Sequence, residues 1–277
     1  MDHGCRMAMD SPEQHRIRPG QKVDLKKTET DGKDVCDDRE TCEQEFEVLR
    51  EEFVELQERL YAESRQKLLI VFQAMDAGGK DGTIRAVTRG VNPQGVVVTS
   101  FKKPTDEELS RDFLWRVHKA VPSRGHIGIF NRSHYEDVLV VRVHDIVPES
   151  VWEPRYEIIN QFEKHLNDTG TRVIKFFLHI AKKEQKQRFQ ERLDDPGKNW
   201  KFDREDLAKR AHWDDYRKAF EDMLEKCSTE KSPWYVIPAD QNWYRNWAVT
   251  KIIVDTLRDM NPQYPIAEDL SDVRIDD

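Results

Sequence analysis

A strand-length apolar run that enters a glycine-rich turn constrains this chain more than any other segment. The run 68–73 leads into the turn 74–79, after which Lys80 precedes a helical pattern that starts at Ile84. Backbone N–H groups of such a turn point at phosphate oxygens, the helix N-terminus adds partial positive charge, and a lysine bridges phosphates. The sequence therefore predicts a phosphate-binding loop that includes Gly78, Gly79, Lys80, Asp81, Gly82 and Thr83.

The loop departs from the Walker A pattern G-x-x-x-x-G-K-[ST]. Ala74 stands where that pattern has glycine, and Asp81 stands where it has a hydroxyl residue. The pattern therefore does not determine the backbone conformation of the loop at Ala74. Thr83 is either an N-terminal helix residue or a ligand of phosphate or metal. Asp76 is either a turn residue that hydrogen-bonds its own backbone, or a Mg²⁺ ligand or base that orients the phosphate acceptor.

Composition narrows the class of protein. The 277 residues carry a net charge of −8 and contain no apolar stretch long enough for a membrane span, and the N-terminus lacks the apolar core of a signal peptide. Four cysteines show neither C-x-x-C spacing nor a dense disulfide framework. We expect a soluble cytoplasmic protein with reduced thiols, without nucleic-acid or membrane partners, in which a local basic channel remains possible.

The domain organisation is predicted from shifts in pattern along the chain. Residues 1–38 are predicted to be a polar N-terminal arm, for which we favour a mobile arm over a structured role. Residues 39–270 are predicted to be a single domain and 271–277 a C-terminal tail. A helical stripe lies within 39–66, and it packs either on the core or on a partner subunit. The apolar residues of this stripe are Phe46, Leu49, Phe53, Leu56 and Leu60.

Strands and helices are predicted to alternate from residue 68 onward. The predicted strands are 68–73, 96–101, 126–131, 172–179 and 233–238. The predicted helices are 80–90, 105–120, 133–144, 152–168, 182–194, 203–226 and 241–260, and Thr105 with Glu108 forms a capping box. This order predicts a parallel sheet covered on both faces, with ligands beyond the carboxyl ends of the strands.

The segment 194–215 combines turn formers, basic residues and aromatics between two helices. It is either a mobile lid over phosphates or a plain surface loop. Arg188 and Arg192 precede it and share one helix face, where two guanidinium groups can hold a phosphoryl group in transit. The alternative for these arginines is a solvated charged helix.

A second set of polar residues follows the predicted strand 126–131. Arg132 is a candidate phosphate clamp, and helical geometry places Glu136 or Asp137 near the loop, where an acid can hold Mg²⁺. His134 is either a phosphoryl acceptor or, as we favour, a hydrogen-bonding surface histidine.

A further candidate group ends the second predicted strand. Phe101 can stack on a nucleobase while Lys102 and Lys103 meet phosphate, or it can be an ordinary edge residue.

Several of these segments together resemble the type 2 polyphosphate kinase family, most of all the class that phosphorylates both nucleoside monophosphates and diphosphates. The resemblance extends in order from about residue 16 to residue 265. The segments that carry it are MDAGGKDGT (75–83), FNRSHYEDVL (130–139), EQKQRF (184–189), DP with KNWKF (195–202), WYVIPAD (234–240) and WYRN (243–246).

The resemblance implies a fold similar to thymidylate kinase: a P-loop three-layer α/β/α sandwich with a parallel sheet and a helical lid. It implies that Asp76 and Asp137 hold Mg²⁺, with Mn²⁺ as a substitute, and orient the acceptor. Lys80, Arg132 and Arg188 would contact the transferred phosphate, and Phe101 would stack on the base. A polyanion channel would be lined by Lys102, Lys103, Lys198, Lys201 and Arg204, and the protein would be a homo-oligomer, a dimer or a tetramer.

The function expected from the resemblance is phosphoryl transfer between inorganic polyphosphate and nucleotides such as AMP and ADP, and possible substrates include GMP and GDP. The transfer is expected to be direct, without a phosphoenzyme. One alternative is an ATP-dependent nucleotide kinase with the same core. Another, of a different class, is a nucleotide- or polyanion-binding module without catalytic activity.

Overall fold

A computed structural model describes residues 12–36, 38–266, 268 and 274. All five predicted strands are present, each within one residue of its predicted ends. They are Lys67–Ala74 (β1), Val96–Ser100 (β2), Ile127–Asn131 (β3), Thr171–His179 (β4) and Trp234–Pro238 (β5).

The strands form one parallel sheet in the order β2-β3-β1-β4-β5. The apolar run that opened the sequence analysis is its central strand, and Leu68 to Val71 are fully buried between β3 and β4. Because the strand order reverses at β1, a crevice opens beyond its carboxyl end, where ligands bind in open α/β sheets. The phosphate loop leaves β1 at this position.

Eleven helices surround this sheet in the part of the chain that the structure describes. In chain order, α1 to α11 are Arg39–Glu63, Lys80–Val87, Asp106–Leu109, Trp115–His118, Glu136–Val143, Glu149–Trp152, Arg155–Asp168, Lys182–Asp194, Arg204–Ala211, Trp213–Cys227 and Asn242–Met260.

The long helices pack as two layers. Helices α1, α2 and α11 contact one another on one side of the sheet, whereas α5, α7 and α10 contact one another on the other side. The predicted α/β class, a three-layer sandwich with a parallel sheet, is confirmed. The apolar stripe of α1 packs against α11 of the same chain, and Leu49, Phe53 and Leu60 are buried there.

Three predicted helices are interrupted where side chains or proline compete with helical hydrogen bonds. The predicted helix 105–120 keeps its capping box but ends at Leu109, and the Asp112 carboxylate then accepts from the backbone N–H of Leu114. Pro154 separates α6 from α7, since proline cannot continue the hydrogen-bond ladder. The predicted helix 203–226 breaks at His212, between α9 and α10.

Residues 12–36 differ from the mobile arm predicted for the N-terminus. Ile17 and Leu25 are buried, and the backbone N–H of Ile17 donates to the carbonyl of Trp234 in β5 at 2.8 Å. His15 Nε2 lies 2.6 Å from the hydroxyl of Tyr244 on α11. The sequence favoured a mobile arm over a structured role here because isolated apolar residues in a polar segment give no periodic pattern. Residues 1–11 and nearly all of the predicted tail 271–277 lie outside the described residues.

Candidate active site

The phosphate loop is a tight turn between β1 and α2. The backbone N–H of Gly78 donates to the carbonyl of Met75 at 2.9 Å, and Ala77 (φ 59°) and Gly79 (φ 95°) adopt left-handed conformations. A non-glycine residue such as Ala77 rarely adopts this region, which is enriched at ligand-binding loops. The helix α2 then begins at Lys80, so its free N-terminal N–H groups face the loop.

The alanine at position 74 is accommodated by the glycine at position 78. A Cβ on Gly78 would lie 2.6 Å from the Cβ of Ala74 and 2.8 Å from the carbonyl oxygen of Met75. The Lys80 ammonium donates to the carbonyl of Ala74 at 3.3 Å. Ala74 is therefore the last residue of β1. The left-handed backbone conformations of the loop come later, at Ala77 and Gly79.

The two polar residues after Lys80 have different environments. Thr83 is buried and its hydroxyl donates to the carbonyl of Gly79 at 3.0 Å, so in this structure it is an N-terminal helix residue. Asp81 is exposed, and its carboxylate accepts from the side-chain amide of Asn131 at 2.5 Å. This contact connects the start of α2 to the end of β3.

Asp76 joins the loop to three other parts of the site. Its carboxylate accepts from Arg132 at 3.0 Å and lies 3.7 Å from the Lys209 ammonium, and its backbone carbonyl accepts from Gln185 at 2.8 Å. Arg132 itself has a φ of 62°, an uncommon conformation that sets its guanidinium beside the loop. Asp76 therefore does more than form a turn with its own backbone.

The electrostatics of the loop favour an anionic ligand. Burial lowers the pKa of Lys80, and the nearby Arg132 lowers it further, while Asp76, Glu136 and Asp81 act in the opposite direction. A phosphate group bound at the loop would supply the negative charge that favours the ammonium form of this lysine.

The two acids at the start of α5 point to different places. Glu136 lines the cleft together with Asp76, Arg132 and Lys209. The Asp137 carboxylate instead lies 3.3 Å from Arg155 and 4.0 Å from Arg116, and burial raises its pKa to about 6 against the opposing effect of these arginines. The structure thus brings Glu136 to Asp76 and turns Asp137 away from it.

A buried polar network supports the first turn of α5 from behind. The Lys175 ammonium in β4 donates to the Glu163 carboxylate at 2.5 Å and to the Tyr135 hydroxyl at 2.9 Å. The Tyr135 hydroxyl donates to the same carboxylate at 2.7 Å, and His134 Nε2 lies 3.3 Å from it. Our prediction of a surface histidine is wrong, because His134 is fully buried.

The two candidate arginines of α8 do not converge on one site. Arg188 donates to the loop carbonyl of Ala77 at 3.0 Å and to the carbonyls of Ala239 and Asp240 after β5. Arg192 donates to the carbonyl of Lys201 at 3.1 Å and lies 3.7 Å from Asp206. Although they are one helical turn apart on α8, Arg188 contacts the phosphate loop and Arg192 contacts the predicted lid segment.

Some basic residues of the predicted lid segment are exposed to solvent, and others line the cleft. Lys198, Lys201 and Arg204 are exposed, and Lys198 pairs with Asp195 at 2.9 Å. Lys209 and Arg210 at the end of α9 line the cleft beside Asp76. Sequence reasoning missed them, since the contact between α9 and the loop spans more than 130 positions; the only available signal was the basic pair before Trp213.

Phe101 packs inside the protein in this structure. It is 6% exposed, its ring meets Phe130 edge-on at 4.9 Å, and the Arg116 guanidinium lies 5.4 Å from the ring centre. Lys102 and Lys103 after it are exposed. Stacking of Phe101 on a nucleobase, and phosphate contacts of the two lysines, stay predictions.

Comparison with known proteins identifies the family. The model of the family "Polyphosphate kinase 2 (PPK2)" matches residues 36–265, which include the loop, the cleft and the lid. The chain belongs to the polyphosphate kinase 2 family. No helix among the residues placed in the structure has the length and apolar character needed to cross a membrane.

Two relatives and one solved structure match this chain over more than nine-tenths of their own length. The AMP/ADP-polyphosphate phosphotransferase of Meiothermus ruber is 53% identical over 93% of this chain and 97% of its own. The ADP-polyphosphate phosphotransferase of Rhodopseudomonas palustris is 46% identical over 91% of each chain. The crystal structure of polyphosphate kinase 2 from Arthrobacter aurescens TC1 aligns with a TM-score of 0.89 at 42% identity, over 94% of this chain and 93% of that one.

Proposed function

We propose that this protein is a phosphotransferase that moves phosphoryl groups between inorganic polyphosphate and the nucleotides AMP and ADP. The observation that carries the proposal is the similarity to the Meiothermus ruber AMP/ADP-polyphosphate phosphotransferase over almost the full length of both chains. The geometry supports it, because Asp76 of the loop, Arg132 and Glu136 line one cleft beyond the central strand. Lys80 at the start of α2 interacts electrostatically with all three.

The phosphate loop is the proposed site of the polyphosphate end. Its backbone N–H groups and the Lys80 ammonium would hold the terminal phosphoryl group, and Arg132 would neutralise its equatorial oxygens. An oxygen of the nucleotide phosphate attacks the terminal phosphorus in line, while the bond to the next polyphosphate oxygen breaks. Positioning and charge stabilisation supply most of such catalysis, and no covalent intermediate is needed.

A divalent metal fits the cleft, although the described residues contain no group of three or more His, Cys, Asp or Glu side chains. Mg²⁺ needs only one or two carboxylates when phosphate oxygens and water complete its shell. Asp76 and Glu136 line the same cleft and would hold Mg²⁺ or Mn²⁺, which would neutralise charge on the phosphate chains. Asp137 would join them only if its contacts with Arg155 and Arg116 were exchanged.

The lid would close the site. Lys209 lies near the Asp76 carboxylate, and Arg210 donates to Gln185 at 2.7 Å, so α9 already contacts the loop and α8. Closure of this helix over bound phosphates would exclude water, whose attack would waste the phosphoryl group.

A donor–acceptor assay tests the proposal. Long-chain polyphosphate is supplied with AMP, ADP, GMP or GDP, without ATP, and the nucleotide products are quantified with and without Mg²⁺. We expect ADP and ATP from the adenine nucleotides, and no product from an Asp76→Asn control. Product formed only when ATP replaces polyphosphate would support the ATP-dependent kinase instead, and binding without turnover would support a module without catalytic activity.

The cytoplasmic location, the absence of nucleic-acid and membrane partners, and assembly as a homo-dimer or homo-tetramer stay predictions. Sedimentation of the purified protein would measure the number of subunits.

A further inference from the structure

Arg245 is a buried cation behind the phosphate loop that none of the roles above uses. It lies in the first turn of α11 and is only 3% exposed. Its Nη2 donates to the side chain of Asn246 at 3.2 Å, whereas Nε and Nη1 have no hydrogen-bond partner among the described residues. A buried donor without a partner costs free energy, and the cost is greater for a charged group.

The unpartnered end of Arg245 is directed at the loop. Its Nη1 lies 2.2 Å from the position that a Cβ on Gly79 would take, and its Nη2 lies 3.7 Å from the corresponding position on Gly82. The Nη1 of Arg188 lies 3.5 Å from the same point at Gly79. Two guanidinium groups therefore meet at the residue that precedes α2.

The close approach of two guanidinium groups is electrostatically unfavourable in the protein without a ligand. Burial lowers the pKa of Arg245 to about 9, and the neighbouring Arg188 lowers it as well. Among the residues placed in the structure, no carboxylate pairs with the guanidinium, and Gly79 offers no side-chain cap to the start of α2. Glu184 pairs with Arg188 alone, so the two guanidinium groups together carry one excess positive charge beside the loop, and such a charge favours binding of an anion.

The neighbouring arginine uses four of its five N–H groups on protein acceptors and keeps one, on Nη1, for a ligand. Arg188 Nε donates to Glu184 at 2.7 Å, and both of its terminal nitrogens donate to backbone carbonyls around the loop. Beside the N–H groups of the α2 N-terminus, the two buried side-chain nitrogens without partners at this end of the loop, among the described residues, are therefore Nε and Nη1 of Arg245.

Building on the proposed function, we propose that Arg245 binds the polyphosphate chain: its Nε and Nη1 donate to a phosphate group held at the N-terminus of α2, beside Arg188. The loop covers these donors in this structure, so binding requires the backbone at Gly79 to move. Glycine permits this movement because it adopts both signs of φ without steric cost. The free energy lost by burying the cation in the unliganded protein would be recovered when polyphosphate binds.

Calorimetry with tripolyphosphate tests this role in the full-length protein. Arg245→Met is expected to weaken tripolyphosphate binding and raise the KM for polyphosphate by about ten- to hundredfold, as expected for charge-assisted hydrogen bonds. The KM for ADP is expected to change less than about twofold. Arg245→Lys keeps the charge but loses the guanidinium fork, and we expect an intermediate loss.

Thermal unfolding separates a binding role from a structural one. Because Arg245→Met removes an unpaired buried charge, the midpoint of the unliganded variant should equal or exceed that of the wild type, while its stabilisation by tripolyphosphate shrinks. Arg258→Met is the matched control, since Arg258 is on the same helix but exposed and paired with Glu52 and Asp255. It should leave tripolyphosphate binding unchanged.

Two outcomes would overturn the role of Arg245 while leaving the proposed function intact. One is wild-type turnover with unchanged tripolyphosphate affinity in both Arg245 variants. The other is an equal rise in both KM values together with a lower unfolding midpoint, which would indicate a structural residue. A wild-type protein without any polyphosphate-dependent turnover would instead overturn the proposed function, and with it this role.

Discussion

At the scale of single residues, Asp76 has an uncommon position for a carboxylate because it lies within a phosphate loop. Arg132 and Lys209 flank it, and Arg132 keeps an unfavoured backbone conformation that costs about 1–3 kcal/mol. Such a cost persists where the surrounding structure fixes it, most often at functional sites. The carboxylate is thus prepared for a ligand that combines phosphate with a metal ion.

We expect Asp76→Asn to abolish polyphosphate-dependent turnover while the fold stays intact. The amide keeps the size of the side chain but removes the charge that metal and cations require. The measurement is the rate of ATP formation from ADP, together with the thermal unfolding midpoint. Asp259→Asn is the control, because this exposed carboxylate pairs with Arg172 outside the loop and the cleft, and it should retain most activity. Near-normal turnover in Asp76→Asn would remove Asp76 from the reacting site.

The two arginines of α8 provide a second comparison. Arg188→Ala should lower kcat/KM by roughly 10³-fold, the scale of arginines that stabilise phosphoryl transfer. Arg192→Ala should lose less than about tenfold, because that side chain contacts the lid rather than the loop. Steady-state kinetics of both variants would measure these losses. Equal losses of kcat/KM would mean that the two arginines act at the same site.

At the scale of elements, the helix α9 is the part of the lid that reaches the site. The short 3-10 helix Asn199–Lys201 and the start of α9 are exposed to solvent, whereas Lys209 near its end lies against the loop. A short helix with few buried residues opens more easily than the core, as a lid requires.

We expect Lys209→Met to lower kcat/KM by about tenfold or more, since it removes a cation that approaches Asp76 over the bound phosphates. The unfolding midpoint should stay unchanged, because the side chain is partly exposed. Lys198→Met, an exposed residue of the same lid, is the matched variant with a smaller expected effect. A larger loss in Lys198→Met would indicate that polyphosphate follows the outer face of the lid.

At the scale of the whole molecule, the buried His179 and the half-buried His15 attach the N-terminal segment to the domain. His179 Nε2–H donates to the carbonyl of Leu25 at 3.0 Å, and His15 contacts Tyr244 of α11. Burial lowers the pKa of each histidine to about 4. Both are therefore neutral in the folded protein at neutral pH.

Acidification should weaken this attachment. An unfolded histidine takes up its proton near pH 6.5, whereas the folded one does so only near pH 4, so stability is complete above pH 6.5 and falls as the pH drops toward 4. The expected slope is about 1.4 kcal/mol per pH unit for each histidine. Denaturant unfolding of the wild type and of His179→Gln between about pH 7 and pH 4, which spans the unfolded and folded pKa values, would measure this slope. The variant should lose stability less steeply, and equal slopes would contradict the assignment.

Local patterns predicted most of the fold. The strands were found because continuous apolar runs bounded by glycine and polar residues determine buried parallel strands. Helices were found where the apolar spacing was regular, and their ends were missed where Asp112, Pro154 or His212 interrupted the backbone ladder. Such interruptions depend on the balance between neighbouring side chains and tertiary packing.

The sequence by itself determined the phosphate loop with its Lys80 and the parallel sheet, because these depend on contiguous residues. Tertiary structure alone decided that Glu136 rather than Asp137 lines the cleft with Asp76, that Lys209 rather than Lys198 reaches the loop, and that Arg245 lies behind it unpaired. The physical reason is that side-chain direction and burial depend on partners far apart in the chain, and no local spacing encodes them.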